Sequence, residues 1–363
     1  MIRKLPERSQ VDIKRMALLS GDKLSASELI SQLCQKIYQV LEPLIDSEKP
    51  VALLDFPDHS NVGDNAIWLG EKEVLRKLGV RVIYSSDFAT YSKEMLSKKI
   101  GDGIILIHGG GNLGDLWPVH QEFRERVIAD FPNNKIIQLP QSIYFKEKEN
   151  LDRARKIFDS HYSFILLLRD NVSFKFAKQE FKSPSFLCPD MAFVLGSLDR
   201  PGAGVFNMLC LLRSDSEAIE SVLPNVYKSL RKIEWVKDDK TLLYWFNKLL
   251  TNFILEFPRR LKLLGLLHSK FCDRVASERL RRGARQLSEG SFVITDRLHG
   301  HILSLLLGIP HVIMDNNYGK IRSFYETWTK ECDIASWANS PEEAYNIARS
   351  LTRSNLFERK VTL

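Results

Sequence analysis

From Val51 onward, short apolar runs alternate with longer amphipathic stretches, and this alternation limits the fold more than any other feature of the chain. The apolar runs are VALLDF, VRVIYSS, GIILIHGGG, KIIQLP and FILLLRD. A segment with helical spacing follows each run, and strands that alternate with helices form parallel sheets covered on both faces. We therefore predict a Rossmann-like domain over residues 49–200.

A second domain of the same kind is expected over residues 201–363. The segment PSFLCPDMAFVLGS, followed by Pro201, Gly202 and Gly204, has the composition of a linker. Beyond it, GVFNMLCLLR, SFVITDRLHGHILSLLLG and PHVIMDNNYGKIRSFYETW again resemble strands that continue into helices. The predicted fold class is α/β, with two Rossmann-like domains and parallel sheets that face each other across a cleft. This arrangement is called GT-B in glycosyltransferases, and its ligand lies between the carboxyl ends of both sheets.

Two segments fall outside this alternation. Residues 1–48 have helical spacing and predict an N-terminal helical extension packed on the first domain. Residues 233–271 predict a helical insertion in the second domain, with an apolar stripe from Leu242 to Phe257 and basic residues directly behind it. Packing within its own domain is the ordinary interpretation of such a stripe, and contact with an anionic membrane surface is the alternative.

Composition narrows the classes of protein and partner. The five cysteines are scattered without the paired spacing of a disulfide-exchange or zinc motif, and no apolar leader or membrane-length run is present. We therefore expect a cytoplasmic protein without a bound metal, with peripheral contact at the inner face of the membrane as the alternative just given. A net charge of +7 favours anionic partners, but Lys and Arg are dispersed and no nucleic-acid-binding signature occurs, so nucleic acid is not an expected partner.

The first motif is HSNVGDNA, where the first strand ends and a helix begins. Its candidate ligand-binding residues are His59, Asn61, Gly63 and Asp64. The amide groups of a helix N-terminus favour negative charge, and a glycine allows close approach of the backbone to a ligand. The alternative is that Asp64 or Asn65 only caps the helix.

The second motif, IHGGGNLGD, follows the third strand and supplies Gly109, Gly110, Gly111 and Asn112 as candidates for substrate binding. It has neither the Lys-Ser/Thr pair of a Walker loop nor the spacing of a dinucleotide-binding loop. Three glycines also occur in tight turns, so the position at a strand end, where ligands bind in parallel sheets, carries the prediction.

The motifs LPQS and LRD are expected to end the next two strands and to bring Gln141, Ser142 and Arg169 to the same edge. The planar fork of an arginine binds phosphate or carboxylate through two parallel hydrogen bonds. The ordinary alternative is that Arg169 pairs with Asp170 or with another acid.

The sharpest motif is VITDRLHGH, which places Asp296, Arg297, His299 and His301 at a strand–helix junction. A single histidine near a helix start is more often structural. Two histidines, an arginine and an aspartate within six residues favour a functional site.

Together, HSNVGD, GGGN, LPQS, LRD, CPD and TDRLHGH followed by GIP resemble the polysaccharide pyruvyl transferase family. The resemblance covers about Val51 to Tyr325. It implies an enzyme that transfers a pyruvyl group from phosphoenolpyruvate to a sugar hydroxyl pair as a ketal, with phosphoenolpyruvate as donor substrate and no cofactor. The acceptor would be an exopolysaccharide or cell-envelope glycan precursor, and its attachment to a lipid stays open.

For this chemistry, His299 is the candidate acid/base, Arg297 would hold the donor carboxylate or phosphate, and Asp64 would bind or activate the acceptor hydroxyl. Two other functions remain open. A nucleotide-sugar-dependent GT-B glycosyltransferase would share the architecture, although its usual glutamate near the ribose site has no convincing equivalent. A non-catalytic scaffold for envelope polysaccharide assembly would keep the fold, although the intact RLHGH motif argues against a decayed site.

Overall fold

The computed structural model describes residues 23–202, 204–213, 224–235, 242–256, 261–316 and 319–361. These residues form a mixed α/β protein with two parallel sheets, which confirms the fold class at this level. The division into two domains that face across a cleft stays a prediction.

The first sheet has seven strands in the order β2-β1-β3-β5-β6-β7, with β4 paired to β5. The strands are β1 (Val51–Leu54), β2 (Val82–Ser86), β3 (Ile104–Ile107), β4 (Gly110–Gly114), β5 (Lys135–Tyr144), β6 (Phe164–Leu168) and β7 (Ser185–Leu187). Every residue of β1, β3 and β6 is buried, as expected for strands covered on both faces. Among the described residues of the first half, six helices are present: α1 (Ala26–Leu41), α2 (Val62–Lys77), α3 (Lys93–Ile100), α4 (Pro118–Asp130), α5 (Lys148–Ser160) and α6 (Asn171–Glu180).

The second sheet has five strands in the order β12-β11-β10-β8-β9. They are β8 (Leu209–Leu211), β9 (Arg231–Lys232), β10 (Val293–Thr295), β11 (His311–Ile313) and β12 (Ala335–Trp337). The helices are α7 (Leu242–Glu256), α8 (Leu261–Ser288), α9 (Leu298–Leu306), α10 (Lys320–Phe324) and α11 (Pro341–Val361). Short 3₁₀ helices cover Met191–Leu195 and Asn225–Ser229, and a π-helical turn covers Tyr325–Thr329.

Two motifs that were expected to end strands continue instead. The glycine motif forms β4 rather than continuing directly into a helix, and β5 extends to Tyr144, so Gln141 and Ser142 lie within a strand. The register of β5 against β6 shifts between Gln138 and Gln141, which lets the strand continue past this irregularity.

The N-terminal extension contains helix α1, which begins at a capping box between Ser25 and Glu28. Its apolar face packs on Met191–Leu195 and on α9, and Leu24 pairs with Cys332. The extension was expected to pack on the first domain, and Met191–Leu195 lies within its predicted range of residues 49–200, whereas α9 and Cys332 lie beyond it. Residues 1–22 lie outside the described part of the chain.

The predicted insertion contains α7 and the start of α8, and α8 extends well beyond residue 271 to Ser288. Helix α8 packs against α2 of the first sheet, where the indole N–H of Trp68 donates to Asp273 Oδ1 at 2.9 Å. Arg282 donates to the backbone oxygen of Ser60. Helix α8 therefore ties the second half of the chain to the loop that carries the first motif.

Helix α7 packs against α8 but leaves part of its predicted apolar stripe exposed. The side chains of Trp245, Phe246 and Leu249 are 51%, 50% and 70% exposed, whereas Asn247 is buried. Among the described residues, no helix combines the length and the apolar character that crossing a membrane requires.

Candidate functional site

A cleft of about 480 Å³ lies where residues that follow strands of both sheets meet. Eight of the predicted site residues line it, namely His59, Asn61, Asp64, Gly111, Asn112, Arg169, Arg297 and His299. Nine other residues complete the lining: Ser60, Trp117, His120, Arg213, Trp235, Leu298, Asn316, Lys320 and Ile321. Residues at the carboxyl ends of the strands thus line the cleft, which is where parallel sheets generally bind ligands.

The first motif wraps the N-terminus of α2. Asn61 is the cap: its Oδ1 accepts from the amide of Gly63 at 3.2 Å, and its Nδ2 donates to Asp64 Oδ2 at 2.8 Å. Neither Asp64 nor Asn65 is the capping residue, which removes the alternative reading of this motif. The Asp64 side chain is 23% exposed in the cleft, with His59 Nε2 at 3.5 Å.

The charge state of Asp64 follows from its neighbours. Burial would raise the pKa of its carboxyl group, but the fields of His59 and His299 outweigh burial, and the pKa lies below its usual value. Asp64 is therefore a carboxylate near neutral pH, and it is a weaker base than an ordinary aspartate.

Gly63 allows the N-termini of α2 and α9 to meet. A Cβ atom at this position would lie 2.3 Å from the Cγ and Nδ1 atoms of His299, which is far inside van der Waals contact. The first motif and the RLHGH motif, more than 230 residues apart in sequence, therefore form one site. Gly63 shapes this site and does not line the cleft itself.

The buried side chain of Glu71 holds the backbone of the glycine motif in place. Glu71 accepts from the amide of Gly109 at 2.8 Å through Oε1, and its Oε2 lies 2.8 Å from His108 Nδ1. Gly110 has a φ of 128°, and a Cβ at Gly111 would lie 2.9 Å from Arg169 Nη2. Gly111 thus leaves room for the arginine, whereas Gly109 and Gly110 shape the loop behind the cleft.

Gln141 supports this loop from within the sheet. Its Oε1 accepts from the amide of Asn112 at 3.0 Å, and its Nε2 donates to Asn112 Oδ1 at 2.7 Å. Buried Arg124, which lies in none of the sequence motifs, donates to the same Oδ1 at 2.8 Å. Gln141 is completely buried, so it orients Asn112 rather than facing the cleft.

Arg169 pairs with an acid, but the acid is Asp190 and not Asp170. Its Nη1 donates to Asp190 Oδ2 at 2.8 Å, and its Nε donates to Ser142 Oγ at 3.0 Å. Ser142 in turn donates to Asp170 Oδ2 at 2.7 Å, and Asp170 caps α6. Ser142 is therefore a buried link between the arginine and the helix cap.

Asp190 joins two cleft residues from behind. Its Oδ2 lies 3.4 Å from His299 Nε2 as well as 2.8 Å from the arginine, and its side chain is 1% exposed. Burial would raise the pKa of Asp190, but His299 and Arg169 hold it well below the usual range. Asp190 belongs to the CPD motif, which contributed to the family resemblance, although it was not among the predicted site residues.

The RLHGH motif sits on a tight turn between β10 and α9. Arg297 is the helix cap residue, and its amide donates to Thr295 Oγ1 at 3.1 Å. Asp296 was predicted to bind substrate but is not among the cleft-lining residues, and its Oδ1 accepts from the amide of Arg213 at 2.7 Å. Burial raises the pKa of Asp296 to about 6, against the opposing effect of that hydrogen bond. Asp296 thus positions the loop that carries a further cation.

His301 was predicted to bind substrate, but the structure does not bring it to the cleft. It is completely buried, with Nδ1 2.7 Å from His311 Nε2 and its own Nε2 2.8 Å from Thr329 Oγ1. On a helix, positions 299 and 301 project in different directions, so only one of the two histidines can face the cleft. Burial and His311 lower the pKa of His301 well below its usual value.

Sequence reasoning missed two cleft cations, Arg213 and Lys320. Lys320 begins α10, and its Nζ donates to the backbone oxygen of Gly111 at 3.2 Å. Both residues follow strands of the second sheet, so the rule that strand ends carry ligands could have found them. Among the described residues, no group of three or more His, Cys, Asp or Glu side chains has the geometry of a metal site.

The cleft between the parallel sheets gathers four basic side chains, two helix N-termini and titratable histidines, and groups of this kind can bind a small anionic ligand. The family model described as polysaccharide pyruvyl transferase matches residues 61–318. The chain belongs to this polysaccharide pyruvyl transferase family.

Individual relatives agree with this assignment. The chain is 35% identical over 300 residues to "Pyruvyl transferase 1" of Schizosaccharomyces pombe, covering 79% of this chain and 71% of the relative. It is 31% identical over 301 residues to "Putative pyruvyl transferase EpsO" of Bacillus subtilis, covering 81% and 89%. A crystal structure of a functionally uncharacterized protein from Klebsiella pneumoniae subsp. pneumoniae has a TM-score of 0.54 at 19% identity, covering 85% of this chain and 99% of that one. This last likeness concerns the fold alone.

Proposed function

We propose that this chain transfers the pyruvyl group of phosphoenolpyruvate to two hydroxyl groups of a sugar in an exopolysaccharide or cell-envelope glycan precursor, forming a pyruvate ketal. The observation that carries the proposal is the convergence of Arg169, Arg297 and His299 on one cleft. The names of the family and of the relatives support a pyruvyl transferase.

The cleft suits a donor with several negative charges. Phosphoenolpyruvate carries a phosphate and a carboxylate, and Arg169, Arg213, Arg297 and Lys320 provide cations from both sheets. The N-termini of α2 and α9 add oriented amide groups. We assign the donor to this cationic part of the cleft.

His299 is the acid/base candidate for the donor. Carbon 3 must gain a proton so that carbon 2 becomes electrophilic, and the Asp190 carboxylate, 3.4 Å from Nε2, orients the imidazole that would supply it. Asp64, as a weakly basic carboxylate, suits binding and orientation of an acceptor hydroxyl.

We further assign the two sheets to two domains in a GT-B-like arrangement around this cleft.

The test is a transfer assay with phosphoenolpyruvate and a panel of lipid-linked and free glycans, read by mass spectrometry as the gain of a pyruvate ketal. We expect transfer by the wild type and its loss in His299→Ala and Arg297→Ala, with Tyr162→Ala, an 88% exposed position outside the cleft, as the control. Calorimetric titration separates the alternatives, because a glycosyltransferase would bind uridine diphosphate rather than phosphoenolpyruvate. A scaffold would bind neither and give no product.

The exposed face of α7 bears on where the enzyme acts. Trp245, Phe246 and Leu249 are flanked by the exposed cations Lys248 and Lys270, a combination that suits an anionic bilayer surface. We propose peripheral contact through this face with a membrane that carries the acceptor.

Cosedimentation with vesicles tests this contact. The wild type should sediment with vesicles that contain an anionic lipid and not with neutral ones, and a variant with Trp245→Ser and Leu249→Ser should stay in solution. Binding by that double variant equal to the wild type would rule out this face.

A further inference from the structure

His120 and Asp55 form a pair at the cleft that no motif drew attention to. His120 Nδ1 lies 2.9 Å from Asp55 Oδ1 and 3.0 Å from Oδ2. The aspartate is completely buried, whereas the histidine side chain is 17% exposed and lines the cleft. Because the carboxylate can only accept, Nδ1 carries the proton, and the lone pair of the neutral ring is on Nε2.

The backbone at Asp55 is held in an uncommon conformation to make this contact. Its φ of 69° is the only positive value at a non-glycine position among the described residues. Such a conformation persists where the surroundings enforce it, and it recurs at functional sites. It occurs directly after β1, which turns the carboxylate beneath the first turn of α4, where His120 lies.

The proposed transfer needs a base that the residues assigned so far do not supply. His299 contacts Asp190 and belongs to the group that holds the donor, and Asp64 is a weak base because its pKa lies below the usual value. Trp117, three residues before His120, also lines the cleft and is 47% exposed. An aromatic surface beside an imidazole suits the apolar face and hydroxyls of a sugar ring.

Resting on the proposed function, we propose that His120 is the catalytic base for the acceptor, with Asp55 as its positioning residue. His120 Nε2 takes the proton of the first hydroxyl while its oxygen forms a bond to carbon 2 of the donor and carbon 3 gains a proton. The oxygen of the second hydroxyl then bonds to carbon 2, and the bond from carbon 2 to the phosphate oxygen breaks. Of the two hydroxyl protons, one balances the proton gained by carbon 3, and the other leaves with inorganic phosphate.

His120→Ala tests the base directly. We expect kcat to fall about 10²- to 10⁴-fold with little change in the affinity for phosphoenolpyruvate measured by calorimetry. Added imidazole should restore part of the lost kcat, because a small base can enter the vacated space. A purely structural histidine would not be rescued in this way.

Asp55→Asn tests the positioning residue without disturbing the backbone, because asparagine also tolerates the left-handed region. The neutral amide would replace the carboxylate that orients the imidazole ring of His120. We therefore expect kcat to fall, as in His120→Ala, while the affinity for phosphoenolpyruvate is kept. Asp130→Asn is the matched control, since it removes a carboxylate from the other end of α4, where Asp130 contacts Tyr91 and Lys93. We expect that control to retain wild-type kcat.

The outcomes separate the two proposals. If the wild type transfers pyruvyl groups but His120→Ala keeps its kcat, or loses it without any rescue by imidazole, the assignment of the base falls and the proposed function stands. If the wild type transfers nothing to any acceptor, the proposed function falls and takes this assignment with it.

Discussion

At the scale of single residues, Asp190 connects two charged or titratable groups of the site. It is 1% exposed and lies within 3.4 Å of both a guanidinium and an imidazole nitrogen. Removing one partner from a buried ionic group leaves the others without compensation, which costs more than the loss of an exposed pair. Asp190 therefore couples the stability of the fold to the electrostatics of the cleft.

Asp190→Asn should lower the free energy of unfolding by about 3 kcal/mol, because Arg169 would stay buried without its counter-ion. Denaturant unfolding measures this change. Asp102→Asn is the control, since its ion pair with Lys49 is 82% exposed on the aspartate side and should contribute little to stability. Equal effects of the two substitutions would show that the buried pair has no special weight.

The buried pair of His301 and His311 predicts how the stability of the fold depends on pH. Burial lowers the pKa of His311 to about 4 from 6.5, and both rings act as neutral groups in one hydrogen-bonded chain. Between these pH values the unfolded chain binds more protons, so stability is full above about pH 6.5 and falls as the pH drops toward 4, by roughly 3 kcal/mol in total for this residue.

Unfolding experiments at pH 7 and pH 5 check this prediction. His311→Asn keeps a donor and an acceptor but removes the titrating ring, so its stability should change less between the two pH values than that of the wild type. The same change in both proteins would exclude His311 as the source.

At the scale of elements, the close approach of α2 and α9 depends on one missing side chain. Gly63→Ala should lower stability by about 1–3 kcal/mol and reduce transfer, because its Cβ would overlap the ring of His299. Gly202→Ala is the control, since its nearest neighbours would lie at 3.6 Å, in ordinary contact. Thermal unfolding measures the change in stability, and the transfer assay measures the change in activity. Wild-type stability and activity of Gly63→Ala would mean that the His299 ring moves aside without a loss of free energy.

Elements were predictable where the pattern was local. Apolar runs followed by amphipathic stretches indicated the parallel strands, and strand ends indicated Arg169, Arg297 and His299. Contacts between distant segments left no such pattern. The partner of Arg169 lies 21 residues away at Asp190, and the partner of His120 lies 65 residues away at Asp55, so neither spacing resembles a motif.

At the scale of the whole molecule, the proposed donor site would exist only in the folded chain. Arg169 follows a strand of the first sheet, whereas Arg297 follows a strand of the second, and both line the same cleft. A ligand that binds both arginines cannot bind the unfolded chain with comparable affinity. Ligand binding must then raise the stability of the whole protein.

Phosphoenolpyruvate at 100 times its Kd should therefore raise the free energy of unfolding by about 2.7 kcal/mol, seen as an increase in Tm. The Arg297→Ala variant should show a smaller increase, because it removes one of the four cations that line the cleft. Uridine diphosphate at the same concentration should leave Tm unchanged. An increase in Tm with uridine diphosphate and none with phosphoenolpyruvate would favour a nucleotide-sugar donor in the same cleft.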